Sequence, residues 1–480
     1  MNFDEVRDNI VGCQQHFDTP FGNFSLLYAD WVASGRLYEP IEKILTHKLG
    51  PWVANTHSYS NKTGSLITTA YQEAKQIIRK HVNADENDIL ILTGSGMTGA
   101  VIRLQQILGI GQTENAELKE EDRPVVFISH MEHHSHHVSW METEVDVVII
   151  PPGKDVKFDL NELESALKKY ANRKLKIGAF TAGSNVTGVI LPVHEMAKMM
   201  HAHGGYCFVD YAATAPYVDM DMHPADKSAQ LDAIYFSPHK FLGGPGACGV
   251  MLLNKVLYSG KSTVPGGGNV TWTDPWGAYG FTDSDEAKED GGTPGFMQAI
   301  RASLAIKLKD QMGVANIEKR EESLLKRAFD FLNAVPGVEI VGEQESKRIG
   351  VVSFNIKDIH YNMVVRMMND RFGIQIRGGW ACASTYCHYL FDFDEAKSQQ
   401  LTEGIDTCNL TGKPGWARMS LHPTLSDEQL TYMLEAVKSI AENKVAWAED
   451  YVYNVKTNDF ELQKPAVDNN REQVLELFKF

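Results

Sequence analysis

Seven short apolar runs punctuate this 480-residue chain: DILIL, PVVFIS, VDVVIIP, KIGAF, YCFVD, AIYFS and GVMLL. Amphipathic stretches lie between them. Runs that are apolar throughout have no water-facing side, so each strand must be covered on both faces. Their alternation with helical patterns therefore predicts a mostly parallel sheet with helices on either side. Ile67, Ala70, Tyr71, Ala74, Ile77, Ile78 and His81 recur at helical spacing and predict a helix over residues 65–82. Asp159 with Glu162 forms a D-x-x-E capping pattern at the start of another helix. A further helix is expected over residues 192–203.

After Thr293 the pattern changes. Two long helical patterns, 295–313 and 316–334, precede the strand-like VEIV, VVSFNI and IQIR, with a helical stretch around 362–369. This reads as a smaller α+β unit. The expected division is an N-terminal segment over 1–35 packing with the small domain, a large domain over 36–300, a small C-terminal domain over 301–450, and an arm or tail over 451–480. There is no internal repeat and no low-complexity segment.

Charge and cysteine usage narrow the classes. Lys and Arg number 46 against 62 Asp and Glu, a net charge of −16 that repels phosphate backbones and anionic lipid. No local basic patch offsets it, so neither nucleic acid nor membrane is expected as a partner. At 43% hydrophobic and 22% charged, the chain has the composition of a globular protein with enough apolar material for a sizeable core. Cys13, Cys207, Cys248, Cys382, Cys387 and Cys408 are too scattered for a disulfide scaffold, and no CxxC occurs. The start, MNFDEVRDNI, is not a secretory signal, and no apolar run approaches the roughly 20 residues that span a bilayer. These features give the expectation of a soluble, cytoplasmic protein.

Four segments could carry chemistry. In TGSGMTG, Ser95, Gly96 and Met97 lie between a strand and a helix. Backbone N–H groups there suit a phosphate monoester, although a tight turn that merely needs glycine reads the same way. The stretch HMEHHSHHVSW holds five histidines. It lacks the HExxH order and has Glu132 as its one nearby acid, so no metal is assigned. A histidine at a strand end can instead stack flat on an aromatic ring. Asp210 directly follows YCFV, where ligands bind in open α/β sheets; a helix cap is the bland alternative. Lys240, in SPHKFLGGPG, follows AIYF at the rim of an apolar sheet, where desolvation lowers an amine's pKa and favours Schiff-base chemistry. A surface lysine is the bland alternative. Taken in order, a phosphate turn, a stacking histidine, a strand-end acid and a strand-end lysine are the parts that pyridoxal phosphate needs.

From YADWVAS to RMS the sequence resembles the class V, fold type I pyridoxal-phosphate enzymes, in particular the cysteine desulfurase and selenocysteine lyase branch. The resemblance implies a large pyridoxal-phosphate-binding domain with a mostly parallel seven-stranded sheet and a smaller α+β domain. It places the stacking role on His133 in MEHH, the ligand to the cofactor's phenolic oxygen on Asn185 in SNVTG, and the pyridinium partner on Asp210. It implies that Lys240 in SPHK carries the imine while Ser237 and His239 reach the phosphate. EDGGTPG is similar to a segment whose threonine, here Thr293, crosses a dimer interface to the neighbour's phosphate. Asn55 in ANTH and Arg418 in ARMS correspond to substrate contacts, the arginine gripping the α-carboxylate. IRGGWACA is similar to the desulfurase pattern of an arginine, Arg377, followed five residues later by a sulfur-accepting cysteine, Cys382. Its Gly- and Ala-rich loop just after Arg377 reads as mobile and electropositive, which favours thiolate. A small buried hydrophobe is the other reading of Cys382, and Cys387 reads as an inert thiol.

Departures from the family pattern bear on the substrate. Ala213 stands where many relatives have glutamine, leaving Thr214 as a possible replacement donor. The stretch 388–415 is longer than in the standard enzymes, as if to cover the site or dock a partner. The implied activity is removal of sulfur from L-cysteine in a homodimer that passes a persulfide to an acceptor protein. The alternatives are an aminotransferase, epimerase or β-lyase with the same cofactor, and a non-catalytic binding module.

Overall fold

The computed structural model describes residues 1–94, 96–110, 119–463 and 470–479. Its centre is a seven-stranded sheet made from the apolar runs. The strands are β1 (Asp88–Thr93), β2 (Val125–Ser129), β3 (Asp146–Ile150), β4 (Lys176–Thr181), β5 (Tyr206–Asp210), β6 (Ala233–Phe236) and β7 (Gly249–Asn254). Their order is β1-β7-β6-β5-β4-β2-β3, and β7 alone runs antiparallel to its neighbours. Alternate residues of each run enter opposite cores. Val125, Phe127, Val209 and Ile234 join one cluster, and Val126, Ile128, Phe208 and Tyr235 join the other. That two-sided burial is why the runs lack polar alternation.

Helices fill both faces. The first, α1 (Lys62–His81), is capped by Asn61, whose side chain accepts from the Gly64 N–H at 2.8 Å, and it ends in Arg79, Lys80 and His81, which suit the negative end of its dipole. Next come α2 (Gly96–Ile107), α3 (His134–Met141), α4 (Leu160–Lys169) and α5 (Val193–Ala202). Asp159 caps α4 as expected, but through the Asn161 N–H at 2.8 Å rather than through the residue three positions on that its D-x-x-E pattern names. The long α6 (Phe296–Met312) stops at Gly313, whose φ of +81° breaks the helix before α7 (Val314–Leu332).

The smaller sheet is antiparallel, in the order β8-β9-β11-β10, from β8 (Val338–Ile340), β9 (Val351–Ile356), β10 (Arg377–Gly379) and β11 (Trp416–Ser420). It packs with α7, α8 (Tyr361–Phe372) and α11 (Asp427–Ala448), between which α9 (Ser384–Leu390) and α10 (Glu395–Asp406) interrupt the chain. The run IQIR is divided because its halves have different partners. Ile374–Gln375 pairs with Leu27–Tyr28, while Arg377 starts β10. The polar stretch after 450 forms a hairpin, Tyr451–Asn454 with Asp459–Leu462, whose Tyr451 and Phe460 are buried in the core of the smaller sheet. Among the described residues no helix is long and apolar enough to cross a membrane.

Candidate active site

Parallel strands deliver their last residues to one edge of the sheet, and there Thr181, Asp210, Ser237 and the start of α2 open onto a cleft of about 260 Å³. Ten of the candidate site residues named from the sequence line it: Met97, His133, Asn185, Asp210, Ser237, His239, Lys240, Arg377, Cys382 and Arg418. Gly96 adjoins Ser237 at its edge, and Ser95 lies outside the described residues. Asn55 and Thr293 are exposed and line no part of this cavity.

The floor is built by the ends of β5 and β6. Asp210 is buried and its Oδ1 accepts from the Ala212 N–H at 2.7 Å. Burial raises its pKa, against the opposing pull of His136 and Lys240. Lys240, on the turn after β6, is pushed down to about 8 by burial, with Asp210 acting the other way. Burial also holds His133 down to about 3 and His239 to about 4, so both imidazoles are neutral. At the start of α2 the Met97 N–H donates to Ser237 Oγ at 2.9 Å. Gly96 has φ +60°, and a Cβ there would stand 2.9 Å from that hydroxyl, so only glycine lets the helix start approach.

Behind the floor lies a polar network. Glu132 Oε1 accepts from Ser129 Oγ at 2.5 Å, the Ser129 N–H at 3.2 Å and the Thr181 N–H at 2.9 Å. Its Oε2 accepts from His136 Nδ1 at 2.6 Å, and His136 Nε2 meets the Tyr235 hydroxyl. Burial works against the charged form of His136, yet Glu132 outweighs it and the pKa is raised. Tyr235 and Asp210 are register partners on adjacent strands.

The roof comes from the smaller sheet. Arg377 and Arg418 are paired across β10 and β11, and both reach Asp30: Arg377 Nε to Oδ2 at 2.8 Å and Arg418 to Oδ1 at 2.8 Å. Arg418 also donates to the Asn185 carbonyl at 3.0 Å, and its buried Nε has no partner. Cys382 is exposed on the cavity wall, in a turn where Ala381 (φ +51°) and Cys382 (φ +58°) are both left-handed. The loop is not loose. Asn185 Nδ2 donates to the Ala381 carbonyl at 2.7 Å and the His134 N–H to that of Cys382 at 2.7 Å. Ala213 lines the cavity, whereas Thr214 is fully buried and lines no part of it, its hydroxyl without a partner. Among the described residues the one cluster close enough to share a cation, Asp85, Asp88 and His223, also lies outside the cavity, with His223 Nε2 already engaged by Asp88 at 2.6 Å.

The sequence profile described as Aminotransferase class-V matches residues 27–432, across both sheets and every residue of this cleft. The chain belongs to the class-V aminotransferase family. It is 31% identical over 379 residues to a probable cysteine desulfurase of Halalkalibacterium halodurans, covering 76% of this chain and 86% of the relative. A probable cysteine desulfurase of Staphylococcus epidermidis is 31% identical over 373 residues, 77% and 86% of the two chains. Its fold matches that of a cysteine desulfurase from Thermococcus onnurineus with a TM-score of 0.73, at 23% identity over 92% of this chain and 98% of the other. An Escherichia coli cysteine desulfurase superposes with a TM-score of 0.70, at 21% identity over 92% and 99%.

Within this class-V site three contributions escape sequence reasoning. Asp30 sits in YADWVAS, a segment that announces no chemistry; an acid just before the buried Trp31 is its only signal. The pairing of His136 with Tyr235 joins residues far apart in the chain. The hold that α3 exerts on the Cys382 loop is likewise visible only in three dimensions.

Proposed function

We propose that this chain is a pyridoxal-phosphate-dependent cysteine desulfurase, which moves the sulfur of L-cysteine onto Cys382 and releases alanine. The observation that carries this reading is the meeting of Lys240, Asp210 and Cys382 in one cleft. The residues present suit the cofactor. Gly96 and Met97 with Ser237 and His239 make a cradle for a phosphate, and His133 is a neutral ring beside them. Lys240 would hold the aldehyde, Asp210 the ring nitrogen, and Asn185 the phenolic oxygen. Bound there, the cofactor supplies an electron sink for charge developing at the substrate's Cα.

The remaining work falls to the chain. Two guanidiniums against the single carboxylate of Asp30 leave a positive surplus, and the unpartnered Nε of Arg418 is a donor in search of an acceptor. Arg418 and Arg377 thereby take the substrate carboxylate. A lysine titrating near pH 8 can remove the proton from Cα and return it, so Lys240 is base and then acid. The Cys382 thiolate attacks the substrate sulfur. An S–S bond forms as the C–S bond breaks, the electron pair stays on carbon, and carbon takes up a proton. Cysteine and a thiol thus become alanine and a persulfide, with no outside oxidant. An acceptor thiol then removes the outer sulfur.

Asn55 and Thr293 complete the site from a second copy in this reading, Thr293 reaching the neighbour's phosphate cradle. A homodimer, of twice 53.6 kDa, is the expected mass. The test of function is the product profile with L-cysteine. With dithiothreitol present as the two-electron reductant that frees the outer sulfur of the persulfide, alanine and sulfide in equal amounts are expected, and both should be lost in Cys382→Ala. A Cys382→Ala protein that makes alanine at the wild-type rate removes the acceptor role. A 2-oxo acid or racemised product without sulfide assigns an aminotransferase or epimerase instead.

A further inference from the structure

The histidine-rich segment is divided by function once its contacts are traced. His133 faces the cavity and His136 faces Glu132 and Tyr235. His134 and His137, one helical turn apart on α3, face the first turn of α9 instead. His134 Nε2 lies 3.0 Å from the Ser384 nitrogen and 2.8 Å from Ser384 Oγ, and His137 Nδ1 lies 3.2 Å from Thr385 Oγ1. Because Ser384 donates its backbone N–H, Nε2 must be the bare, accepting nitrogen.

This contact repairs a defect. The residue at the N-cap of α9 is Ala383, which has no side-chain acceptor. The orphan N–H of Ser384 is satisfied from another helix. Just before it stand two non-glycine residues in left-handed backbone, Ala381 and Cys382, a conformation that persists only where the surroundings over-determine it. They are pinned at each carbonyl, Ala381 by Asn185 and Cys382 by the His134 N–H. One residue, His134, therefore holds the chain at two successive points, its backbone at the Cys382 carbonyl and its ring at the Ser384 N–H.

We propose that His134 is a positioning residue for Cys382, supplying in trans the N-cap that α9 lacks and so keeping the thiol turned onto the cavity. The proposal rests on the sulfur-accepting role given to Cys382 above. Burial and the nearby Lys413 lower the pKa of the His134 ring, which keeps the accepting nitrogen bare. His137 adds a second, weaker tie one turn on.

The test is amide hydrogen exchange of the cofactor-loaded protein, read on a peptide spanning residues 380–390, with the hairpin 451–462 as an internal reference. His134→Ala removes the cap and should speed exchange in that peptide by about tenfold while the reference is unchanged. His134→Gln can carry an amide oxygen to the place of Nε2 and should restore exchange to within about twofold of wild type. Alanine formation from cysteine should follow, kcat falling in His134→Ala with KM unchanged, and returning in His134→Gln. Unchanged exchange in His134→Ala overturns the proposal, as does His134→Gln exchanging as fast as the alanine variant. Full turnover in a His134→Ala protein whose loop has loosened overturns it too. Exchange is measured without turnover, so a failure of the desulfurase reading, seen in Cys382→Ala, is separable from a failure of the cap.

Discussion

Arg377 and Arg418 stand opposite each other on adjacent strands and are held by one carboxylate, Asp30. Arg418 is 3% exposed, so removal of that carboxylate strands a charge in the interior. Asp30→Ala should destabilise the protein by about 3 kcal/mol, the lower end of the range for breaking a buried pair. Asp30→Asn keeps an acceptor and should cost less. Urea unfolding of both variants measures the difference; equal stability to wild type would mean that Arg418 is held by the Asn185 carbonyl alone.

Lys240 is depressed to about 8 from 10.5, chiefly by burial. In the cofactor-free protein its acetylation by acetic anhydride should therefore titrate near pH 8, well below exposed lysines. The unfolded chain binds this proton more tightly, so the contribution of Lys240 to stability rises with pH between about 8 and 10.5. Lys240→Met should abolish that slope. In the loaded protein, Lys240→Ala should lose the visible absorbance band.

His136, beside Glu132, acts in the opposite sense. The pKa of His136 is raised above 6.5, so its stabilisation is complete below pH 6.5 and is lost as pH rises through the folded value. Stability should decline across that interval by at most about 1.4 kcal/mol per pH unit. His136→Asn should remove the decline. A wild-type profile that does not decline through that interval, or a His136→Asn profile that declines as the wild type does, would contradict the raised pKa of His136.

Thiol reactivity separates the cysteines. Cys382 and Cys408 are exposed, whereas Cys387 and Cys248 are buried and burial pushes both up to about 12. Iodoacetamide in native buffer should label the first two within minutes and spare the others. Cys387→Ala should leave sulfur transfer intact, and a persulfide mapped to Cys387 by mass spectrometry would contradict that assignment.

The sequence carried the large sheet because burial on both faces leaves no polar alternation. DILIL, YCFVD and AIYFS each appear as strands, and Asp210 and Lys240 lie at strand ends where the pattern puts them. The reversal of β7 is invisible in GVMLL, because an apolar run reads the same in either direction. The division of IQIR between two partners and the hairpin after Asp450 depend on distant pairing that local pattern does not encode. In the site, Asp210 and Lys240 were legible through the strands they follow, and Asn185, Ser237, His239, Arg377, Cys382 and Arg418 were legible only through the family resemblance. Those that act through a neighbour, such as Asp30 and His134, were not, because their roles are fixed by elements hundreds of positions away.

Residues 27–36 thread between the two sheets and are fastened at both ends. Leu27 and Tyr28 extend the pairing of Ile374–Gln375, Ala29 O accepts from the Ser420 N–H at 2.7 Å, and the Gly35 N–H donates to the His239 carbonyl at 2.9 Å. A Cβ on Gly35 would stand 2.0 Å from the Phe241 carbonyl, so no slack exists where this ribbon meets the turn bearing Lys240. The ribbon therefore ties the sheet that bears Arg377 and Arg418 directly to the turn that bears Lys240. In the proposed function, the groups that would take the substrate carboxylate and the amine that would hold the cofactor thus share one tether.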